Sequence, residues 1–147
     1  MTTCLPRIAA AALLTFVVCG AVAEDTLPYT NGVVVNVTSI RTAPGQFNNY
    51  LRYLAGPYKQ IMEEAKAQDL IVDYGHYAAQ PKTPSDPNLY MIVTYKNFAA
   101  LDGLSEKMAV IAARVFGSIE EAERSQAERE ALRKVIGSER LQKLELH

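Results

Sequence analysis

The side chains that could do chemistry in this chain are few and widely spaced. His76 is one of two histidines, the other being His147 at the C-terminus, and it follows Asp73 by three positions. On an extended strand that spacing turns the two side chains to opposite faces unless a bulge intervenes, and Gly75 between them is the residue able to host one. No serine sits in a nucleophile elbow, so Asp73 and His76 imply no triad, and no catalytic residue is assigned. His76 stands as a candidate ligand contact or base, weighed against an ordinary edge histidine. Metal chemistry is not expected: the cysteines are Cys4 and Cys19 near the N-terminus, and neither histidine has a second ligand at chelating spacing. Glu63-Glu64 and Glu120-Glu121 are neighbours on helical patterns and diverge by about 100°, so neither pair converges on a substrate. No glycine loop suited to phosphate is present, since Asp102-Gly103 falls within a helical pattern.

What remains is a set of hydroxyls and one amide. Asn36 and Thr38 alternate with apolar residues in one stretch, and Tyr90 and Thr94 do so in another, beside Val34, Ile40 and Ile92. If the two stretches are neighbouring strands, these rows form one wall suited to a small, partly aromatic organic molecule. Apolar contacts would give affinity and the hydroxyls orientation. His76 would join the rim of that wall through a bulge at Gly75. Arg41 and Arg52 are weaker candidates for charge at its mouth. The competing interpretation is that the same residues complete a protein interface containing some buried hydrogen bonds. Tyr50 and Tyr58 lie on an apolar helical stripe and read as core.

The elements that must position these residues follow from periodicity. Residues 24–32, with Pro28 and Asn31-Gly32, read as a loose arm ending in a turn. Val33 to Arg41 is a β-branched strand with Val33, Val35 and Val37 on a dry face, and Val34, Asn36, Thr38 and Ile40 on a mixed one. From Phe47 to Ala65 apolar residues recur at three and four, which predicts a helix along the sheet, kinked where Pro57 after Gly56 cannot donate to the Tyr53 carbonyl. Leu70 to Ala79 and Leu89 to Asn97 form a hairpin around a loop stiffened by Pro81, Pro84 and Pro87. In its second strand Leu89, Met91, Val93 and Tyr95 make the dry face, and Tyr90, Ile92, Thr94 and Lys96 the mixed one. Asn97 caps a second helix to Phe116, and the capping box Ser118-Ile119-Glu120-Glu121 opens a solvated helix that continues to Ile136 and stops at Gly137-Ser138. Leu141 to Leu146 reads as a last short strand.

The chain has 147 residues, 49% hydrophobic and 21% charged, which suits one globular domain over residues 33–147. Before it, Arg7, the apolar run Ile8 to Val18 and Ala21-Val22-Ala23 read as a signal peptide over residues 1–23. The run is too short to cross a hydrocarbon core of about 30 Å, so export to a bacterial periplasm is expected, with no stable membrane association after cleavage. A lipidated Cys19 is disfavoured by Val18 just before it. Both cysteines would leave with the signal. Losing Arg7 from 15 basic against 16 acidic residues leaves a net charge of −2. With its cations scattered, the chain has no stripe for displacing phosphate counterions, and nucleic acid is not an expected partner.

Strand, helix, strand, strand, helix, strand is the βαββαβ order of a ferredoxin-like α+β domain, a four-stranded antiparallel sheet with its helices on one face. The other face is left uncovered and apolar, and a second copy stacked sheet to sheet would hide it. The segments Gly56-Pro57-Tyr58-Lys59-Gln60-Ile61-Met62-Glu63-Glu64-Ala65, Leu70-Ile71-Val72-Asp73-Tyr74, Asn88-Leu89-Tyr90 and Tyr95-Lys96-Asn97-Phe98-Ala99-Ala100-Leu101-Asp102 resemble small exported bacterial proteins of the dimeric α+β barrel superfamily. More distantly they are similar to its NIPSNAP-like, EthD-like and antibiotic-biosynthesis monooxygenase-like families. The resemblance implies a homodimer enclosing a barrel interior. It carries over no catalytic residue and no cofactor, because no motif here matches those of the distant families. The expected function is binding of a small organic molecule in that interior, with or without metal-free catalysis. The alternative is a non-enzymatic, structural or stress-related dimer whose interior is packed and inert.

Overall fold

The computed structural model describes residues 27–147. Strand β1 (Tyr29–Thr42) leads into α1 (Phe47–Tyr53), a wide π turn (Leu54–Tyr58) and α2 (Lys59–Ala67). The hairpin β2 (Asp73–Ala78) and β3 (Leu89–Tyr95) follows, then a 3₁₀ turn (Phe98–Leu101), α3 (Leu104–Phe116), α4 (Ile119–Leu132) and β4 (Arg133–Leu146). The four strands form one antiparallel sheet in the order β2-β3-β1-β4. The architecture is α+β and compatible with a ferredoxin-like fold. It departs from the simplest version by placing two helices, α3 and α4, between β3 and β4, and by a fourth strand as long as the first. The proposed signal sequence at 1–23 lies outside the described residues. Among the described residues no helix is long and apolar enough to cross a membrane.

Two apolar clusters fix which side of the sheet the helices cover. Ile40, Leu89 and Met91 from the sheet meet Tyr50 and Leu54 in one cluster. Ile61, Met62, Ala65, Ile71 and Ile111 form the other, with Tyr74, Val93 and Tyr95 packed against it. Each fully buried aliphatic side chain of this kind is worth about 1.5–3 kcal/mol relative to exposure. The helix that crosses the sheet breaks at Gly56 (φ −97°, ψ −112°), immediately before Pro57, as the sequence predicts. Both halves still direct their apolar stripe to the sheet, so the break bends the rod without ending it.

Strand β1 reverses the expectation for its faces. Val34 and Ile40 are fully buried against the helices, and the register pairs Val34, Asn36, Thr38 and Ile40 with Tyr95, Val93, Met91 and Leu89. Directly paired residues share a face, so the mixed row of β1 lies on the helix side. The dry row, Val35 and Val37, joins Tyr90, Ile92 and Thr94 on the open side. Both rows of β1 carry β-branched residues, and the pairing with β3 selects between them.

The ends of the sheet also differ from what periodicity predicts. Tyr29 to Asn31, expected in a loose arm, pair with Leu146 to Leu144. In the hairpin, β2 starts only at Asp73: Leu70 N–H closes the end of α2 on the Ala65 carbonyl, and Ile71 is core. The helix expected to reach Ile136 stops at Leu132, and β4 runs through Gly137-Ser138. Pairing with nearly all of β1 outweighs the helical propensity of Arg133 and Lys134, and the strand absorbs Ile136 as a bulge between the Ile40–Val135 and Ser39–Gly137 pairs.

Candidate functional site

The five candidate residues do not assemble on one surface. Tyr90 and Thr94 point to the open face of β3, opposite Ser39 and Val35 of β1. Asn36 and Thr38 are on the other side of the sheet, where the Asn36 amide donates to Thr38 Oγ1 (3.2 Å) and Ser138 donates to Asn36 Oδ1 (3.3 Å). The expected single wall is therefore split by the sheet itself. His76 is also on the helix side, opposite Met91, and the β2–β3 register runs unbroken from Asp73–Thr94 to Ala78–Leu89. Gly75 makes no bulge. Its missing side chain instead leaves room for the Tyr77 ring on the open face, which a Cβ there would meet at 3.1 Å.

His76 occupies the most distinctive environment of the five. Its ring stands edge-on to Tyr58 (5.5 Å) and Tyr74 (5.9 Å). Its Nε2 is buried with no hydrogen-bond partner among the described residues. Burial lowers its pKa below the usual 6.5, so the ring is neutral at physiological pH. A cavity of about 210 Å³ lies against it, walled by Leu51, Leu54 and Ala55 from the bent helix and bordered by Lys59 and Tyr74. The helical side of the cavity spans the bend at Gly56, from Leu51 in α1 through Leu54 and Ala55 in the π turn to Lys59 in α2. Tyr74 donates to Glu63 (2.6 Å), and burial, followed by that carboxylate, pushes its pKa up to about 12. Tyr58 is raised further, first by burial and then by the neighbouring phenols of Tyr50, Tyr95 and Tyr74. At neutral pH the phenols here are hydrogen-bonding groups, not bases.

Periodicity alone marks Tyr50 and Tyr58 as plain core and the charges of α4 as solvated, and it misses a second polar cluster. The Arg129 and Arg133 guanidinium groups lie over the rings of Tyr53 (5.7 Å) and Tyr50 (5.8 Å). Their side chains are only 15% and 6% exposed, although they sit in a strongly charged helix and its exit. The signal is present in the sequence: Ala122, Ser125, Arg129 and Leu132 are the partly buried residues of α4, spaced at three and four. Arg129 borders a second cavity of about 480 Å³ between α2, α3 and α4, which shares the Tyr58 ring as a wall with the His76 environment. Arg41 and Arg52 approach neither cavity: Arg41 donates to the Asp86 carbonyl of the proline-rich loop, and Arg52 is exposed. Among the described residues, no cluster of three His, Cys, Asp or Glu is placed to hold a metal ion.

No protein-family model matches the sequence, and no curated protein or solved structure matches it either.

Proposed function

We propose that this protein is an exported homodimer of the dimeric α+β barrel type that binds a small, largely apolar organic molecule beneath its bent helix. The observation carrying the ligand reading is the His76 ring at the edge of a largely apolar cavity, with its Nε2 buried and without a partner among the described residues. A buried polar atom without a partner costs about 1–3 kcal/mol, which a hydrogen bond made as the ring turns toward a ligand would recover. Lys59 at the rim favours a ligand with an acidic group, and the cavity volume suits a single ring. Tyr90 and Thr94 serve the dimer seam in this reading, and Asn36 and Thr38 are structural polar contacts within each subunit. The experiment is calorimetry with a panel of small aromatic acids such as benzoate and phenylacetate. At least one should bind the wild type and lose about tenfold in affinity in His76→Leu, the equivalent of one hydrogen bond. Equal binding to both proteins, or no binding by any member of the panel, removes this reading.

Homodimer formation is supported by the open face, where Val35, Val37, Tyr90 and Ile92 form a continuous apolar centre flanked by Tyr77 and Leu141, themselves 58% and 51% exposed. Asp73 and Glu139, paired with Thr94 and Val37, border that centre on the same face, and an apolar patch rimmed by charge in this way is the pattern of a protein–protein contact. Export is supported by Arg7, the apolar run after it and Ala21-Val22-Ala23. Cleavage after Ala23 would leave β1 whole, since that strand begins at Tyr29. Sequencing the exported form should read Glu24 first, and any other start overturns the processing site.

A further inference from the structure

The second cavity lies on the helix layer and takes no part in the binding proposed above. It is lined by Met62 from α2, Met108, Ala112 and Phe116 from α3, and Ala122 and Arg129 from α4. A further hollow of about 290 Å³ adjoins it, sharing Ala109, Ala112, Ala122 and Gln126 and ending at Ile119. Together they make a mainly apolar groove between α3 and α4, with Ser105 and Gln126 among its walls and Arg129, the one cation among the described residues lining it, at its inner end. Ile119 and Arg129 are ten positions apart on α4, so the groove runs roughly 15 Å along the helix.

The cation is incompletely neutralised. Arg129 Nη2 donates to Gln126 Oε1 at 3.0 Å, and its nearest carboxylate, Glu130, is at 3.9 Å. That carboxylate is already engaged by Arg133 at 2.9 Å and is half exposed. Arg129 Nε is buried with no partner among the described residues. A guanidinium offers planar, paired donors to a carboxylate, and this one lies over the Tyr53 ring at 5.7 Å. The rest of the lining fixes the ligand class. Among the described residues no second cation borders either hollow, and Glu123 at the outer one disfavours further negative charge. Methionine, phenylalanine and alanine walls accept a flexible hydrocarbon chain.

We propose that this groove binds an aliphatic monocarboxylate of medium chain length, its carboxylate on Arg129 and its chain lying between α3 and α4 toward Ile119. The site is separate from the His76 cavity and does not rest on the binding proposed there.

Calorimetry with decanoate and, as its uncharged counterpart, decan-1-ol tests the assignment on the purified protein. Decanoate should bind the wild type well above the alcohol. Arg129→Gln should weaken decanoate by about tenfold or more while leaving the alcohol unchanged, with Arg129→Lys intermediate. Ala109→Phe, which fills the groove from its exposed side and keeps the arginine, should abolish decanoate binding. Lys107→Gln, on the exposed side of α3, should bind as the wild type does. Absence of decanoate binding, equal affinity for acid and alcohol, or unchanged binding in Arg129→Gln overturns the proposal. Should Arg129→Gln fail to fold, the groove-filling variant decides the matter: unchanged decanoate binding in Ala109→Phe overturns the proposal equally.

Discussion

His76 is held neutral by its surroundings, and that makes it a handle on stability. Its folded pKa lies below the unfolded value of 6.5, with burial as the cause. Between the two values the unfolded chain binds the extra proton, so stability is complete above about pH 6.5 and declines as the pH falls through and below that value. His76→Gln should flatten the dependence between pH 7.5 and 5.5. Urea unfolding of the two proteins at both pH values measures it, and parallel losses would exclude His76 as the source. The lowered carboxylates Asp73, Asp86 and Glu120 are held down chiefly by hydrogen bonds, from Lys66, from Thr83 and at the start of α4 respectively, and they titrate in a more acidic range. Of the five candidate residues, the side chain of His76 can be singled out from its type alone, but its partners cannot. Tyr58 meets it only because a break in a helix and a register in a sheet bring distant segments together. Arg129 is hidden for a different reason: one buried arginine in a charged run differs from its neighbours only by falling on the helix's inward stripe.

At the scale of elements, the best-read parts of the sequence are those with one dominant period and an unambiguous cap. Ser118 is such a cap: its hydroxyl accepts from Glu121 N–H at 3.1 Å at the start of α4, and Gly117 supplies the left-handed turn (φ +92°) that reverses the chain from α3. Ser118→Ala should cost about 1 kcal/mol of unfolding free energy, measured by urea titration, whereas a change within a few tenths would show the cap to be dispensable. β3 and the bent helix are legible for the same reason, since their apolar residues admit only one facing. β1 is not, because valines populate both of its rows and parity alone cannot say which is buried. The exit from α4 is illegible because the segment through Arg133 and Lys134 locally favours continuing the helix. Its conformation is dictated by β1 beside it, a partner about a hundred residues away in sequence.

For the whole molecule, the decisive surface is the open face of the sheet. Ile92 lies at its centre, paired with Val37 and Gly75, and in the proposed dimer it would be close to its own symmetry mate. Ile92→Lys should convert the dimer to monomer or aggregate, because two lysines buried without partners cost several kcal/mol. Sedimentation equilibrium at micromolar concentration reads the result. A wild type that sediments as a monomer would refute the assembly itself, and a variant that stays dimeric would place the seam elsewhere. The free edge formed by β4 is guarded differently, by Lys134, Glu139, Arg140, Lys143 and Glu145, all exposed. Charges of both signs along an open edge discourage further strands from adding to it.

The unequal length of the strands has a consequence for how the molecule opens. β1 and β4 extend about 45 Å at roughly 3.3 Å per residue, but β3 supports β1 only from Val34 to Ile40. Tyr29 to Asn31 belong to a two-stranded ribbon that overhangs the body of sheet and helices, with the Leu146 side chain at its tip 78% exposed. Amide hydrogens along one continuous strand should therefore exchange with deuterium in two regimes. Those in the ribbon should be released by local fraying within minutes, and those from Val34 to Ile40 only by opening of the sheet as a whole. A single uniform rate along β1 would show that the overhang and the body come apart together.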